Sequence, residues 1–262
     1  MRSLSIASTG MLAQQLNVEV ISNNIANLQT TGFKRQRAEF QDLIYQNEQR
    51  MGATSSDQGT IVPTGIQIGS GVSAGAVYRI TDQGSLVQTG NTYDVAIQGK
   101  GYFQIQLPNG DTAYSRAGSF QLSPTGQLVT QEGYTVNPGI TVPPNAIEVS
   151  INPSGEVQVK TPGAVTPQNV GQLELATFSN EAGLESVGDN LFLETPASGA
   201  ATTNVPGTEA VGTILQGFLE TSNVNPVAEI TTLITAQRAY EMNSRVITAS
   251  DEMLRTVAAL RS

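Results

Sequence analysis

The chain has 262 residues, of which 13% are charged and 5% aromatic, and its net charge is −9. An acidic balance argues against a basic surface for nucleic acid, so no nucleic-acid partner is expected. Cys and His are both absent, which excludes Cys/His dyads, Ser-His-Asp triads and most zinc sites; neither a metal nor a cofactor is expected.

The first 30 residues predict a helix with a narrow, mostly apolar stripe. Its positions alternate at intervals of three and four residues, the spacing of a coiled-coil seam: Leu4, Ala7, Met11, Gln14, Val18, Ile21, Ile25 and Leu28. Gly10 and the β-branched residues weaken intrinsic helicity, so the helix is expected to need a partner. Polar residues interrupt the segment, which therefore does not predict a secretory signal.

A cluster of Asn and Gly residues follows this stripe. Asn23, Asn24 and Asn27 can bond backbone groups and end or kink the helix. Gly32, next to Phe33, can supply the positive φ of a sharp turn. A compact core would need apolar residues here, so the cluster favours contact with other chains.

The middle of the chain predicts an all-β domain over residues 73–215. Three turns lie between alternating apolar runs, at Asn109-Gly110, at 123–126 and at 152–155, and the last two have Pro second and Gly fourth, as type I turns favour. Further strands are predicted near 95–97, 173–178 and 191–193. Residues 51–216 carry four basic and thirteen acidic groups, which indicates a solvated outer surface.

The C-terminal segment predicts a second long helix. Asn225 can cap it, Pro226 suits its first position, and Glu229 lies in the first turn. The three-four spacing then runs through Leu233, Ala236, Tyr240, Asn243, Ile247, Ser250, Leu254 and Val257. From Pro226 to Leu260 such a helix is about 52 Å long, more than a small domain needs.

These elements predict an α+β fold. Discontinuous N- and C-terminal helices form a coiled-coil-like assembly domain over residues 1–45 and 216–262, residues 46–72 form an extended arm or linker, and residues 73–215 form the antiparallel β domain. The pattern alone leaves two arrangements open, a helical hairpin packed on its own β domain and packing between chains. The small and polar stripe positions favour the second, because such residues set register more than they add stability.

Two segments resemble the signatures of the bacterial flagellar axial proteins, a family of rod, hook and hook-associated proteins. The first signature runs from Ser22 to Arg35, and the second combines residues 220–225 with residues 233–245. The chain length and the stretch after Phe40 resemble the distal-rod type, in which residues 47–68 would form an arm that contacts neighbouring subunits. Composition alone also allows a disordered linker there.

The resemblance implies a structural subunit of the flagellar distal rod rather than an enzyme. Such a subunit self-assembles into a helical tube that transmits torque to the hook. The implied partners are copies of the chain, proximal rod proteins, the hook protein, the P-ring and L-ring proteins and the export apparatus. The implied location is the periplasm-spanning rod of the basal body, reached without a cleaved signal peptide, and no run of apolar residues predicts a membrane span.

The resemblance also implies which residues make subunit contacts. They are Leu4, Met11, Val18, Ile21, Asn23, Asn24, Ile25, Asn27, Leu28, Gly32, Phe33, Asn223, Asn225, Leu233, Arg238, Tyr240, Asn243, Ile247 and Leu254. Arg238 and Tyr240 alternatively form a buried polar network, or a surface charge beside a core ring. The chain ends are expected to be largely disordered before assembly, because ordering costs about 1–2 kcal/mol per residue.

Two alternatives remain. The first is a neighbouring proximal-rod or hook subunit of the same family. The second is an extracellular carbohydrate-binding or carbohydrate-acting β protein, since glycosidases use paired carboxylates. Asp82, Asp94 and Asp111 are dispersed in the sequence, however, and no Trp is present to support a sugar ring.

Overall fold

The computed structural model describes residues 2–49, 64–163, 166–208 and 211–260. Helix α1 spans Arg2–Ala26 and helix α2 spans Pro226–Ala259, with a run of short strands and one 3-10 helix, Glu181–Gly183, between them in the chain. The predicted α+β class with terminal helices and a central antiparallel region is confirmed.

The strands are, in chain order, β1 Gln36–Asp42, β2 Tyr45–Gln49, β3 Ile66–Gly69, β4 Val72–Arg79, β5 Leu86–Gln88, β6 Val95–Gln98, β7 Tyr102–Gln106, β8 Thr112–Ser115, β9 Gln121–Leu122, β10 Leu128–Val129, β11 Thr135–Val136, β12 Glu148–Ile151, β13 Glu156–Lys160, β14 Gln168–Gln172, β15 Leu175–Thr177, β16 Glu185–Gly188, β17 Leu191–Leu193, β18 Thr202–Asn204, β19 Thr213–Gln216 and β20 Phe218–Glu220.

Helix α1 ends at Ala26 rather than at residue 30. The Thr30 N–H donates to the Asn27 carbonyl at 3.3 Å, and the Thr30 hydroxyl donates to Asn27 Oδ1 at 3.1 Å. This local turn replaces the helical hydrogen bonds, and Gly32 follows with φ +69°, so the predicted helix end and sharp turn are confirmed. Leu28 lies beyond the helix, and its place in the predicted helical stripe is wrong.

Helix α2 begins at Pro226, as predicted, with Glu229 in its first turn. Pro fits the first helical position because that residue needs no N–H partner, and a carboxylate near the N-terminus is favoured by the helix dipole. The helix has 34 residues and is about 51 Å long. Within the described residues, neither helix has the length and apolar character needed to cross a lipid bilayer.

Contacts divide the chain into two compact units. The helical unit contains Met1–Ile25, Gln36–Tyr78 and Pro226–Ser262, and the β unit contains Ala26–Arg35 and Arg79–Asn225, as far as these ranges are described. Residues 26–35 and 216–225, which the sequence analysis placed with the helices, therefore belong to the β unit. The partition into an assembly domain, an arm and a β domain stays a prediction.

An antiparallel ribbon belongs to the helical unit. β1 pairs with β4 and β2 with β3, and the two ladders are joined because the Leu43 N–H donates to the Gly71 carbonyl at 2.8 Å and the Ser70 N–H to the Ile44 carbonyl at 3.2 Å. The sequence analysis expected helical-domain structure up to residue 45 and missed β1. The predicted arm begins as strand β2, and its residues 50–63 lie outside the described residues.

The β unit contains one large sheet and several small ones. The large sheet has the order β16-β17-β8-β7-β11-β10-β9, with β15 pairing β7 and β18, and β12-β13-β14 form a three-stranded sheet. The three predicted turns join β7 to β8, β9 to β10 and β12 to β13 antiparallel, so these hairpins are confirmed. Strands β6, β15 and β17 confirm the other predicted positions.

The core of the β unit is aliphatic with a few rings. Phe103 and Phe120 lie at its centre, with ring centroids 5.1 Å apart in an edge-to-face arrangement. A smaller cluster contains Tyr102, Tyr114 and Phe192. In β13, Val157 and Val159 are buried while their neighbours are less so, which is the alternation of a strand with one face on a core.

Candidate assembly interface

The two terminal helices pair antiparallel through contacts that recur every seven or fourteen residues. The Ser250 hydroxyl lies 3.3 Å from the Ser3 hydroxyl. A methyl group at Gly10 would lie 2.8 Å from Asn243 Nδ2, and Asn24 Nδ2 donates to Glu229 Oε2 at 3.2 Å. The partner numbers fall along α2 as they rise along α1, and heptad spacing is that of a coiled-coil seam.

This seam is made mainly of small and polar residues. The buried residues of α1 are Ala7, Ala13, Val20, Ile21 and Asn24, and those of α2 are Glu229, Ala236 and Ser250. Small residues let the two backbones approach closely, and buried polar residues define the register at a cost in stability. These contacts therefore make the helix pair specific in its alignment, and several larger apolar side chains of α2 lie outside it.

Those larger side chains lie on the exposed surface of α2. They comprise Val227, Ile230 and Ile234 in its first half, and Met242, Val246, Met253, Val257 and Leu260 from its middle onward. The second group is separated by helical intervals and is called here the apolar face. Exposed fractions of 46% for Val246 and 59% for Val257 show that the described part of the chain leaves this face open.

Asn24 joins α1 to the start of the ribbon. Its side-chain amide donates to the Gln36 carbonyl at 2.9 Å and accepts from the Gln36 N–H at 2.9 Å, so it pairs with Gln36 as another strand would. Because the same amide reaches Glu229, and both side chains are at most 5% exposed, one buried network fixes α1, β1 and α2. Nearer the N-terminus of α1, the Val72 N–H donates to Thr9 Oγ1 at 3.3 Å.

Within the β unit, three buried charges form what is called here the clasp: Lys34, Arg116 and Glu220. Lys34 Nζ lies 2.5 Å from Glu220 Oε1, and Arg116 Nη2 lies 2.9 Å from Glu220 Oε2. Burial lowers the pKa of Lys34; the Glu220 carboxylate opposes this shift, Arg116 adds to it, and Glu181 raises the pKa slightly. Lys34 also donates to the Asp82 carbonyl at 2.9 Å.

The backbone around the clasp is held by the two signature segments. The Gly32 N–H donates to the Glu220 carbonyl at 2.8 Å. Asn223 Oδ1 accepts from the Arg35 N–H at 2.7 Å, and Asn223 Nδ2 donates to the carbonyls of Ile80 and Asp82, both at 2.9 Å. The segment after α1 and the segment before α2 are thus adjacent in the β unit.

The residues predicted to make subunit contacts lie in three environments. Ile21, Asn24 and Gly32 are buried; Leu4, Met11, Val18, Ile25, Asn27, Leu28, Phe33, Asn223, Leu233, Asn243, Ile247 and Leu254 are half-buried; Asn23, Asn225, Arg238 and Tyr240 are exposed. Their role between subunits stays a prediction. Tyr240 is 44% exposed, so neither it nor Arg238 belongs to a buried network, and Tyr240 lies outside the close seam.

Several residues of the site were missed by sequence reasoning. Lys34 and Glu220 both lie inside the signature segments. Charged residues are only 13% of the chain, so a charge within each signature is a signal that could have drawn attention to them. Arg116 and Gly10 had no local signal, because their roles depend on partners far away in sequence. Thr9 is one of the polar residues that interrupt the first helical segment, and nothing in the local sequence indicates its contact with Val72.

Two of the three acids considered for carbohydrate chemistry, Asp94 and Asp111, make contacts with neighbours in their own turns. Asp94 is 7% exposed and accepts from the Thr89 hydroxyl at 2.6 Å and from Asn91 at 2.9 Å, which are turn contacts. Asp111 accepts from Asn109 at 2.7 Å within the β7–β8 turn. Across the described residues, no group of three or more acidic side chains is arranged to hold a metal ion.

Family models match both ends and the middle of the chain. Residues 4–34 match the model "Flagella basal body rod protein", residues 96–159 match "Flagellar hook protein FlgE/F/G D1 domain", and residues 215–260 match "Flagellar basal body rod FlgEFG protein C-terminal". Two terminal helices that pair with each other, a β unit that lies between them in the sequence, and these matches together define a structural protein of the flagellar axis.

Individual relatives narrow this class. The flagellar basal-body rod protein FlgG of Caulobacter vibrioides is 61% identical over 262 residues and covers 100% of both chains. FlgG of Agrobacterium fabrum is 53% identical, covering 98% of both chains. The rod protein FlgF of Caulobacter vibrioides is 34% identical over 97% of this chain and 95% of its own.

The chain belongs to the FlgG family of flagellar basal-body rod proteins. It is a structural subunit of the flagellar distal rod, located in the basal body with other flagellar components, as the sequence predicted. The higher identity to FlgG than to FlgF within one organism disfavours the proximal-rod alternative, and the relatives are rod proteins rather than enzymes.

Proposed function

We propose that the subunit self-assembles into a helical tube in which the apolar face of α2 packs against neighbouring copies. The observation that carries this proposal is the contrast between the polar seam inside the helix pair and the exposed apolar face. Burying one side chain such as Val or Met stabilises an assembly by about 1.5–3 kcal/mol, so five of them per subunit are a substantial contact. A tube built from many such contacts is stiff enough to transmit torque.

The finer partners follow from this role. The tube joins proximal rod proteins at one end and the hook protein at the other, and it passes through the P-ring and L-ring while spanning the periplasm. The subunit reaches its place through the flagellar export apparatus without a cleaved signal peptide. Family membership and the predicted acidic surface of the β unit support this placement.

The proposed contact is tested by Val246→Asp on the apolar face. Thr248→Asp is the matched control, because Thr248 is exposed and lies about 200° away around the same helix. Wild type and Thr248→Asp should form tubes that sediment and are visible by electron microscopy. Val246→Asp should stay soluble, and its near-ultraviolet circular dichroism spectrum should match that of the wild-type subunit because the β unit remains folded. Normal tubes from Val246→Asp would overturn the proposal.

Limited proteolysis of the soluble subunit tests the expected ordering of the ends. Rapid loss of both helices, leaving a fragment of about residues 26–225 that keeps the whole β unit, supports helices that order on assembly. Equal resistance of ends and middle means that the helix pair already forms in the single subunit, and the apolar face is then its principal contact with neighbours.

A further inference from the structure

The clasp places two cations on a single carboxylate. Lys34, Arg116 and Glu220 have exposed fractions of 3%, 5% and 1%. Glu220 Oε1 also accepts from the Gly84 N–H at 2.9 Å, and Arg116 Nη1 donates to the carbonyls of Gly99 and Gly101 at 2.8 and 2.7 Å. Carbonyl dipoles help hold the guanidinium, but Glu220 is the carboxylate in salt-bridge contact with both cations.

Without the charge of Glu220, Lys34 and Arg116 would face each other in the interior of the β unit. Removing one partner of a buried ion pair is strongly unfavourable because the remaining charge is left uncompensated. Besides Glu220, Arg116 is held by two backbone carbonyls and Lys34 by one, that of Asp82. Lys34 also lies on the short segment 26–35. When the charge of Glu220 is removed, we therefore expect residues 26–35 to detach from the β unit while Arg116 stays in place.

The docked segment depends on the same C-terminal residues through its backbone. Gly32 donates to the Glu220 carbonyl, and Arg35 donates to the Asn223 side chain. The Arg35 carbonyl in turn accepts from the Ile80 N–H at 2.8 Å. The charge and the backbone contacts of residues 220–223 thus act on one segment that continues directly into α1.

We infer that Glu220 is a positioning residue that makes docking of residues 26–35 conditional on residues 220–223, so that the segment after α1 and the segment before α2 dock in the β unit together. Under the proposed function, on which this consequence rests, a chain whose C-terminal segment is not yet placed does not present α1 for assembly. Folding of the junction then acts as a check that the subunit is complete.

The test is hydrogen exchange in the soluble full-length chain, measured at the Gly32 and Arg35 amides. Glu220→Gln keeps the size of the side chain and an acceptor for Gly84 but removes the charge. Exchange at both amides should become about 100-fold faster or more. The amide of Leu128, which donates to the Ile140 carbonyl, should be unchanged. Glu185→Gln, at an exposed position of β16, is the control and should change neither.

A double variant separates charge from shape. Lys34→Met with Glu220→Gln restores the net charge of the clasp, and protection of Gly32 and Arg35 should return to within about tenfold of wild type. Wild-type protection in Glu220→Gln alone, or no recovery in the double variant, would overturn the inference. If Glu220→Gln fails to fold altogether, folding of the double variant supports the inference and its failure overturns it.

These measurements are made before assembly. If wild-type chains formed no tubes, the proposed function would be refuted. The positioning role of Glu220 would still be tested by hydrogen exchange at Gly32 and Arg35, which does not depend on assembly.

Discussion

The close approach of the terminal helices at Gly10 makes a quantitative prediction. In a helix interior Ala is more favourable than Gly by about 1 kcal/mol. The added methyl of Gly10→Ala would lie 2.8 Å from Asn243 Nδ2 and 3.2 Å from Asn243 Cγ, and forcing extra atoms into a packed contact costs about 1–3 kcal/mol. The sum is a net loss of about 0–2 kcal/mol, so the critical concentration for tube formation should rise by up to about 30-fold.

The sign of this effect should reverse when the obstacle is removed. In an Asn243→Ala background the methyl of Gly10→Ala has space, so the helix-propensity gain remains and the critical concentration should fall about fivefold. Comparing the four proteins gives the coupling between the two positions, independent of other losses caused by Asn243→Ala. Ser5→Ala, at an exposed position of α1, is the control and should show no dependence on residue 243.

Sedimentation of assembled from free subunits over a concentration series measures this. The seam described for α1 and α2 is refuted if Gly10→Ala lowers the critical concentration equally with and without Asn243.

Three further predictions concern the ribbon and the β unit. Gly71 has φ +123°, and the methyl group of Gly71→Ala would lie 2.2 Å from Thr9 Oγ1. Because the Leu43 N–H donates to the Gly71 carbonyl, hydrogen exchange of the Leu43 amide should accelerate at least about tenfold. Thr9→Ala should not restore slow exchange, because the backbone strain remains. Asn223→Ala removes the acceptor of the Arg35 N–H and two donated bonds, so urea unfolding of the β unit should show a loss of about 2–4 kcal/mol; a loss below that of the exposed turn variant Asn109→Ala contradicts it. Because burial lowers the pKa of Lys34 below 10.5, the unfolded chain binds the proton more tightly than the folded chain. The free energy of unfolding should therefore increase as pH rises toward 10.5. Lys34→Met should lack this increase, and parallel pH profiles of the two proteins would contradict the assignment.

Local chemistry accounts for the parts of the fold that the sequence predicted well. Pro226 and Glu229 mark the start of α2, and the Pro-Gly turns at 123–126 and 152–155 mark hairpins, because these residues bias the backbone whatever surrounds them. The Asn27–Thr30 turn ends α1 for the same reason. Strand β1 was missed because its partner, β4, lies more than thirty residues later and its own residues are largely polar.

The candidate site shows the same division. Periodicity indicated which residues of α1 and α2 share a face, and the sequence by itself determined the family, since both signatures are written in contiguous residues. Only the tertiary structure decided what each face meets: Asn243 approaches Gly10, whereas Tyr240, at a neighbouring stripe position, stays exposed.

The clasp is the clearest case of a tertiary decision. Lys34, Arg116 and Glu220 are unremarkable charges when read along the chain, and surface exposure is the ordinary expectation for each. Their burial depends on contacts between segments up to 186 residues apart, and a long-range contact of that kind leaves no period or turn motif in the local sequence. Propensity and spacing act over a few residues, whereas the pairing of buried charges is fixed by the folded chain as a whole.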